Sequence, residues 1–374
     1  MRLRVLLALV TLLFLLVGCG EEGKNVTREL QDLGIPLLET YTNDSETQIR
    51  ARSSWDMVAY DGKIYIGCGD YDTNMGPVAV WSYDVDGGAW QASSPLEDEH
   101  IKRYAVLRDT LSILGTDPRG DWSMGSYYTL EGDEWIEHRV LPSGIHCFDA
   151  VEYDDKLFFG LGVNSGDSPV VTSEDGETFA SVSFFKDGVS VDTALYEVVR
   201  VHNFVICENE LYAFLTLGTE EVEAFEIYRY DGESFSYFST PPEVFLRSYD
   251  ITYTGEFAGL ATFINGYCYY ISEDMVNFRP WRVEMSDLAS DVMVIDGVQY
   301  VLAHTALRSG RYESAVYAST DGKTFTKLFW FRDRVPANSF TYMDGVFYFS
   351  MGRYYDYTSP EMGRVYALNY TIEK

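Results

Sequence analysis

Positive charge is scarce in this chain. Twenty-eight Lys and Arg stand against 58 Asp and Glu, giving a formal net charge of −30. Such a surface repels phosphate backbones, so no nucleic-acid partner is expected. Cysteine is also rare, with five in 374 residues, and no two form a CxxC pair or a common zinc spacing. Beyond Cys19, the remaining Cys68, Cys147, Cys207 and Cys268 read as buried thiols within strands. No long amphipathic helix supplies βαβ crossovers, which argues against an α/β fold. HExxH, GxSxG and phosphate-binding Gly-rich loops are all missing, so protease, esterase and nucleotide chemistry have no support. No cofactor and no metal are expected.

The apolar run Val5–Val17 is too short to span a bilayer comfortably. It follows Arg2 and Arg4 and ends in Leu16-Val17-Gly18-Cys19, which resembles the bacterial lipobox. The resemblance implies a lipoprotein signal peptide over 1–18 and acylation of Cys19. More than one acyl chain at that residue supplies a stable membrane anchor. Residues 19–45 then read as anchor and tether, with Asn25 capping a short helix over 25–34. Gly20 after the cysteine implies outer-membrane sorting in a two-membrane bacterium, or otherwise the outer face of the cell membrane. Cleavage removes two arginines and no acid, so the mature chain is more acidic still.

What the chain has in abundance is aromatic residues, 16% of the total with 29 Tyr and 22 Phe, types that favour strands. From Ser54 a period emerges. "MVAYDGKIYIG" (57–67), "AVEYDDKLFFG" (150–160), "VMVIDGVQYVL" (292–302) and "FTYMDGVFYFS" (340–350) each cross an acidic turn between strand-like runs. Weaker copies begin at Ala105, Phe204 and Ile251. The turn markers are Gly62, Thr110 or its neighbour Asp109, Asp155, Asn209, Gly255, Gly297 and Gly345. A second series, out of phase, places an acidic turn before an aromatic six times, as in "SEDGETF" (173–179) and "STDGKTF" (319–325). Two hairpins per unit predict an all-β fold: a seven-bladed β-propeller of four-stranded antiparallel blades over 46–374. The last unit lacks an outer strand, so an N-terminal strand near "IPLLETY" (35–41) is expected to close the ring.

The repeat resembles Kelch-like and sialidase-like Asp-box propellers, most clearly at Ser173/Asp175/Gly176 and Ser319/Asp321/Gly322. In such turns Asp and Ser accept backbone N–H bonds, Gly takes a positive φ and the aromatic packs between sheets. In sialidases the boxes lie away from the active site, so the resemblance implies architecture rather than chemistry. A sialidase site also needs an arginine clamp; Arg103, Arg247 and Arg334 are its candidates here. Binding candidates at the starts of inner strands are Asp56, Arg103, His146, Arg247, Asp291 and Asn338, with Trp55 and Trp122 as stacking surfaces. Asp70, Asp72 and Asn74 mimic the start of a calcium loop, but Trp81 stands where its closing Glu belongs. The function expected is non-catalytic recognition of an extracellular carbohydrate or protein ligand by a monomer. The alternatives are a sialidase-like or other glycan-acting enzyme, and an envelope scaffold.

Overall fold

A computed structural model describes residues 23–70, 76–120, 123–219, 223–242, 251–266, 268–281, 288–352 and 359–372. Cys19, Asp72, Asn74, Trp122 and Arg247 lie outside the described residues. Two short strands come first, β1 (Lys24–Asn25) and β2 (Gln31–Asp32), then a 3-10 turn at Pro36–Glu39 and the helix α1 (Glu46–Ala51). The repeats follow as β3 (Asp56–Tyr60), β4 (Lys63–Gly67), β5 (Trp81–Asp84) and β6 (Ala89–Ala92), then β7 (Tyr104–Leu107), β8 (Thr110–Leu114), β9 (Met124–Glu131) and β10 (Glu134–Pro142). Next come β11 (His146–Tyr153), β12 (Lys156–Val163), β13 (Val170–Ser173), β14 (Ala180–Ser181), β15 (Phe184–Lys186) and β16 (Val189–Ser190). They are followed by β17 (Val198–Cys207), β18 (Glu210–Gly218), β19 (Glu223–Tyr230), β20 (Phe235–Ser239), β21 (Ile251–Phe257), β22 (Leu260–Asn265), β23 (Cys268–Ser272) and β24 (Phe278–Trp281). The last are β25 (Leu288–Ile295), β26 (Val298–Ala306), β27 (Tyr312–Ser319), β28 (Thr326–Asp333), β29 (Ala337–Met343), β30 (Val346–Met351) and β31 (Val365–Asn369).

These strands form a β-propeller-like arrangement of antiparallel sheets with almost no helix. Five sheets of four or five strands stand apart, where the repeat predicts seven separate ones. The difference lies in the third and fourth units, which share one sheet of ten strands. β12 outruns its partner β13 and uses its free end to pair with β17, at Gly162↔Arg200 and Val163↔Val199. The innermost strands contact one another in a closed cycle: β3, β7, β11, β17, β21, β25, β29 and back to β3.

The N-terminal segment differs from its expected form. Residues 25–34 hold no helix: Asn25 Oδ1 instead accepts the Thr27 N–H at 3.1 Å. The strand that completes the last sheet is Gln31–Asp32, paired antiparallel with Ala367 and Tyr366 of β31, whereas Pro36–Glu39 is a 3-10 turn. Pro36 cannot donate to a ladder, which suits it to that turn. β1 pairs parallel with β28 through Lys24↔Phe329 and Asn25↔Trp330. The described part of the expected tether is thus bonded to two sheets.

Each first hairpin turns through two residues with positive φ: Asp61-Gly62, Arg108-Asp109, Asp154-Asp155, Glu208-Asn209, Ala258-Gly259, Asp296-Gly297 and Asp344-Gly345. These pairs match the twist of the flanking strands as type I′ turns do. In the second unit the turn uses Asp109, not Thr110, and in the fifth it lies at Gly259, not Gly255.

The second series of turns locks neighbouring sheets. Asp321 Oδ1 accepts the Lys323 and Thr324 N–H groups at 2.8 and 2.6 Å, and Asp175 does the same for Glu177 and Thr178. The Gly176 carbonyl accepts the Tyr127 hydroxyl of the preceding sheet at 2.8 Å, and the Gly322 carbonyl accepts Tyr269 at 3.2 Å. Phe325 meets the Tyr269 ring edge-on at 5.3 Å. Aromatics such as Phe329, Phe347 and Phe349 are fully buried between sheets, each worth about 1.5–3 kcal/mol of burial. Among the described residues the four cysteines are free thiols; Cys68, Cys147 and Cys207 are buried as expected, but Cys268 is exposed at the start of β23.

The turn geometry is testable. Gly297→Val forces a branched side chain into positive φ and is expected to lower stability by about 1–2 kcal/mol in urea unfolding. Asp155→Gly, at the equivalent turn position, is expected to be neutral or stabilising by under about 1 kcal/mol.

Candidate functional site

The inner strands begin at one end of the structure, the mouth, and run toward the type I′ turns at the other. In five of them the pairing register slips near the mouth, between Cys147/Asp149, Val201/Asn203, Ile251/Tyr253, Ala289/Asp291 and Ala337/Ser339. Such bulges re-aim side chains. The residue after each slip lies five positions before its turn pair, and Asp56 and Arg103 share that spacing. The equivalent positions around the axis are therefore Asp56, Arg103, Asp149, Asn203, Tyr253, Asp291 and Ser339.

The three aspartates make one repeated contact. Each accepts the following residue's N–H and an N–H from the next inner strand. Asp56 takes Met57 at 2.8 Å and Tyr104 at 2.7 Å. Asp149 takes Ala150 at 3.0 Å and Phe204 at 2.8 Å. Asp291 takes Val292 at 2.8 Å and Phe340 at 3.0 Å, and also the Ser339 hydroxyl. Asp56 and Asp291 are therefore inter-sheet fasteners rather than free ligand contacts. Burial raises the pKa of all three, that of Asp291 to about 7. Arg103 Nη1 lies 2.9 Å from Asp149 Oδ1 and eases that cost. Asn338 is structural too: its Nδ2 donates to the Ser54 carbonyl at 2.6 Å, joining last and first sheets. Arg334 is exposed and 3.8 Å from Glu361, so Arg103 and Arg334 serve separate carboxylates and form no common clamp.

His146 stands in richer company. It pairs in register with Gly162, which pairs in turn with Arg200, so the three form a row across β11, β12 and β17. His146 Nε2 lies 3.4 Å from Asp117 Oδ1. Its ring stacks on Phe148 at 5.2 Å, and His202 packs against Phe148 at 4.2 Å. Lys102 and Arg200 sit over the same phenyl ring, at 5.8 and 6.0 Å. Burial holds both imidazoles below their usual pKa, and Arg200 and Lys102 add to that. Asp117 is raised by burial and by neighbouring Glu99, although His146 opposes the rise. The His146 Nδ1 is buried without a hydrogen-bond partner. Among the described residues no carboxylate or hydrogen-bond acceptor is found for half-buried Arg200.

Trp55, Lys102, Phe148, His202, Ser290 and Asn338 occupy one equivalent position, immediately before the axial residue in six of the seven inner strands. The Trp55 indole donates to the Gly69 carbonyl at 2.8 Å and lies 5.6 Å from the His100 ring. Lys102, Asp117, Asp149, Arg200 and His202 were not among the sequence candidates. Asp149 carried a usable signal, the same spacing to its turn as Asp56 and Asp291; Arg200 carried none, because its placement depends on the β12–β17 pairing. Asp70 is buried, and among the described residues no group of three metal-ligating side chains converges.

No family model and no curated protein matches this sequence, so kinship to Kelch-like or sialidase-like chains rests on the motifs alone. Solved structures match in shape. The puromycin hydrolase is 9% identical, with a TM-score of 0.50 over 83% of this chain and 52% of its own. The polysaccharide lyase Uly1 is 10% identical, with a TM-score of 0.48 over 84% of this chain and 89% of its own. The β-propeller domain of the Trilobed protease from Pyrococcus furiosus is 15% identical, with a TM-score of 0.38 over 69% and 75%. Similarity at this level concerns the fold only.

Two outcomes are expected at the mouth. Asp149→Ala strands two buried N–H groups and the Arg103 charge, and is expected to cost on the order of 3 kcal/mol in chemical denaturation. Buried Asp98, bonded to the Tyr128 hydroxyl, is raised by burial to about 7. The unfolded carboxyl titrates near 3.9, at roughly its model-peptide value. The folded chain therefore holds the extra proton between these values, and this group's contribution to stability falls as pH rises from about 4 to about 7. Asp98→Asn should flatten that fall and raise Tm at pH 8 by about 2 °C or more, read by calorimetry.

Proposed function

We propose that this chain is a lipoprotein acylated at Cys19, held at the outer face of a bacterial membrane, which recognises an extracellular carbohydrate or protein ligand at the mouth. In this reading the ten-stranded sheet is two blades bonded at their inner ends, and the propeller has seven blades. The cycle of innermost strands and the repeated positive-φ turn pairs support that count. The observation that carries recognition is the mouth sector formed by Trp55, Lys102, Phe148, His146, His202 and Arg200. It brings aromatic faces and cations together in a chain whose surface is otherwise strongly acidic. A carbohydrate suits it best, because the partly exposed Trp55 indole and a few fixed polar groups are what such sites use.

One observation favours a second reading, a glycan-acting enzyme. The His146–Asp117 contact sets a neutral imidazole beside a carboxyl whose pKa is raised, an arrangement suited to moving a proton. The absence of a clamp joining Arg103 and Arg334 removes support from the sialidase-like version.

A glycan and peptide array probed with the soluble form beginning at Gly20, alongside product analysis of each bound glycan, separates the readings. Retention of a glycan without turnover is the expected result. Turnover that disappears in His146→Ala would replace recognition by catalysis, and silence across the array would remove the carbohydrate ligand.

A further inference from the structure

We propose that the outer edge of the sheet β25–β28, where β1 is added to β28, rests against an anionic lipid surface, so that the mouth opens sideways along the membrane. This rests on the reading of Cys19 as an acylated anchor and adds the face that the anchor turns toward the bilayer.

The first support is the length of chain left free. The sequence allots 19–45 to anchor and tether, enough to let the body turn in any direction. In the fold that segment is held from Gly23 onward. β1 is the outermost strand of its sheet, beyond β28. Lys24 and Asn25 pair with Phe329 and Trp330, the Val26 N–H donates to the Trp330 carbonyl at 2.9 Å, and the Arg332 N–H donates to Thr27 Oγ1 at 3.1 Å. Val26 is fully buried in the core beneath this edge. Gly23 lies flush on β28: a Cβ there would meet Lys327 Cγ at 2.7 Å and the Lys327 carbonyl oxygen at 2.8 Å. Cys19 stands four residues earlier, and four residues reach at most about 14 Å. A lipid on Cys19 therefore keeps this edge within that distance of the bilayer. The opposite rim stands across a body about 50 Å wide and cannot take its place.

The second support is charge. Residues 288–336, which build this sheet, carry six Lys and Arg against five Asp and Glu, in a chain whose totals are 28 against 58. Two of the five acids, Asp291 and Asp296, lie on the inner strand and its turn, away from the edge. At the edge Arg332 and Arg334 are exposed, and Arg311 donates to the Arg332 carbonyl at 2.9 Å. The added segment brings exposed Lys24 and Arg28. With Lys327 these six cations meet four carboxylates, Glu29, Glu313, Asp333 and Glu361, so the edge keeps a positive balance. Anionic headgroups repel the acidic remainder of the body and attract this edge, to which the anchor is already tied. Standing the axis upright would press either the acidic turns or the mouth against the lipid. Resting on the edge lays the axis along the membrane and leaves the mouth open to ligands from the side.

The test places one fluorescent label on the acylated chain in vesicles of phosphatidylcholine and phosphatidylglycerol that carry headgroup-linked rhodamine. Cys268→Ser removes the exposed native thiol. The label is attached through Thr326→Cys, at the start of β28, or through Glu134→Cys, at the start of β10. Both positions lie at the turn end of an outer strand, and their sheets are three places apart in the cycle of inner strands. The label at 326 is expected to transfer energy to the headgroups at least about threefold more strongly, because the rims stand about 50 Å apart. Pure phosphatidylcholine, or Arg28→Glu together with Arg334→Glu, is expected to lower that ratio by about half, since each removes the attraction between basic side chains and anionic lipid. Equal transfer from the two rims, or a ratio that neither charge change alters, overturns the docking while the anchor stands. Mass spectrometry that finds no acyl chain on Cys19 overturns the anchor and the docking together.

Discussion

The contact on which the structure turns is a carboxylate reaching from one inner strand to the backbone N–H of the next. It needs an acceptor with two oxygens, one for its own strand and one for the neighbour, and a position at the start of a strand or just after a bulge that aims the side chain across the gap. Asp149 and Asp291 stand directly after a register slip, and Asp56 opens its strand. Inner strands near the axis crowd together and leave little room for apolar side chains, so the join there is polar and directional. Farther out the sheets diverge, and Phe and Tyr fill the widening space.

The outer join follows a different logic with the same result. The acidic turns stiffen themselves through Asp-to-backbone bonds and present a glycine carbonyl to a tyrosine hydroxyl of the preceding sheet. Charge on these turns costs little, since the carboxylates are exposed and their pKa values are held down by the N–H groups they accept. Much of the chain's negative charge is thus spent on turns, at the end opposite the mouth. The N-terminal strand Gln31–Asp32 completes the last sheet by pairing with β31, and β1 reaches the sheet before it. Two neighbouring sheets are therefore held by a segment distant from both in sequence.

Local rules made much of this readable in advance. Alternating apolar runs around Asp-Gly turns announce hairpins because φ > 0 there is a backbone demand that only a few residues meet, and the aromatic after each acidic turn marks the outer join. Where the positive-φ pair falls on other residues the pattern misleads: Ala258-Gly259 turns the fifth hairpin, whereas the expected marker Gly255 is a strand residue. Closure was readable as a missing strand but not as Gln31–Asp32, since a two-residue edge strand has no periodicity. The fusion of the third and fourth units was invisible, because pairing between β12 and β17 depends on how far two long strands overrun their partners. Of the site candidates, Asp56 and Asp291 were recognisable as special but fasten sheets, and Asn338 does likewise. His146 and Trp55 belong to the mouth sector; Phe148 and His202 share the spacing of Trp55 to its turn, and Arg200 comes from a position that no local pattern distinguishes.

The fusion and the mouth sector are one feature. Had β12 ended with β13, Gly162 would pair with His146 alone and Arg200 would lose its register partner. The extra pairing aligns the two side chains across a residue with no bulk, at the edge of the axial ring where the aspartates already have their bonds. A lone guanidinium in so acidic a chain would ordinarily acquire a carboxylate, as Arg103 and Arg334 do. Arg200 is kept from one by its surroundings: a phenyl ring beneath it, a glycine beside it, and imidazoles that burial holds neutral. The same strand overrun that removes a clean boundary between two repeat units sets Arg200 in register with Gly162 and, across it, with His146.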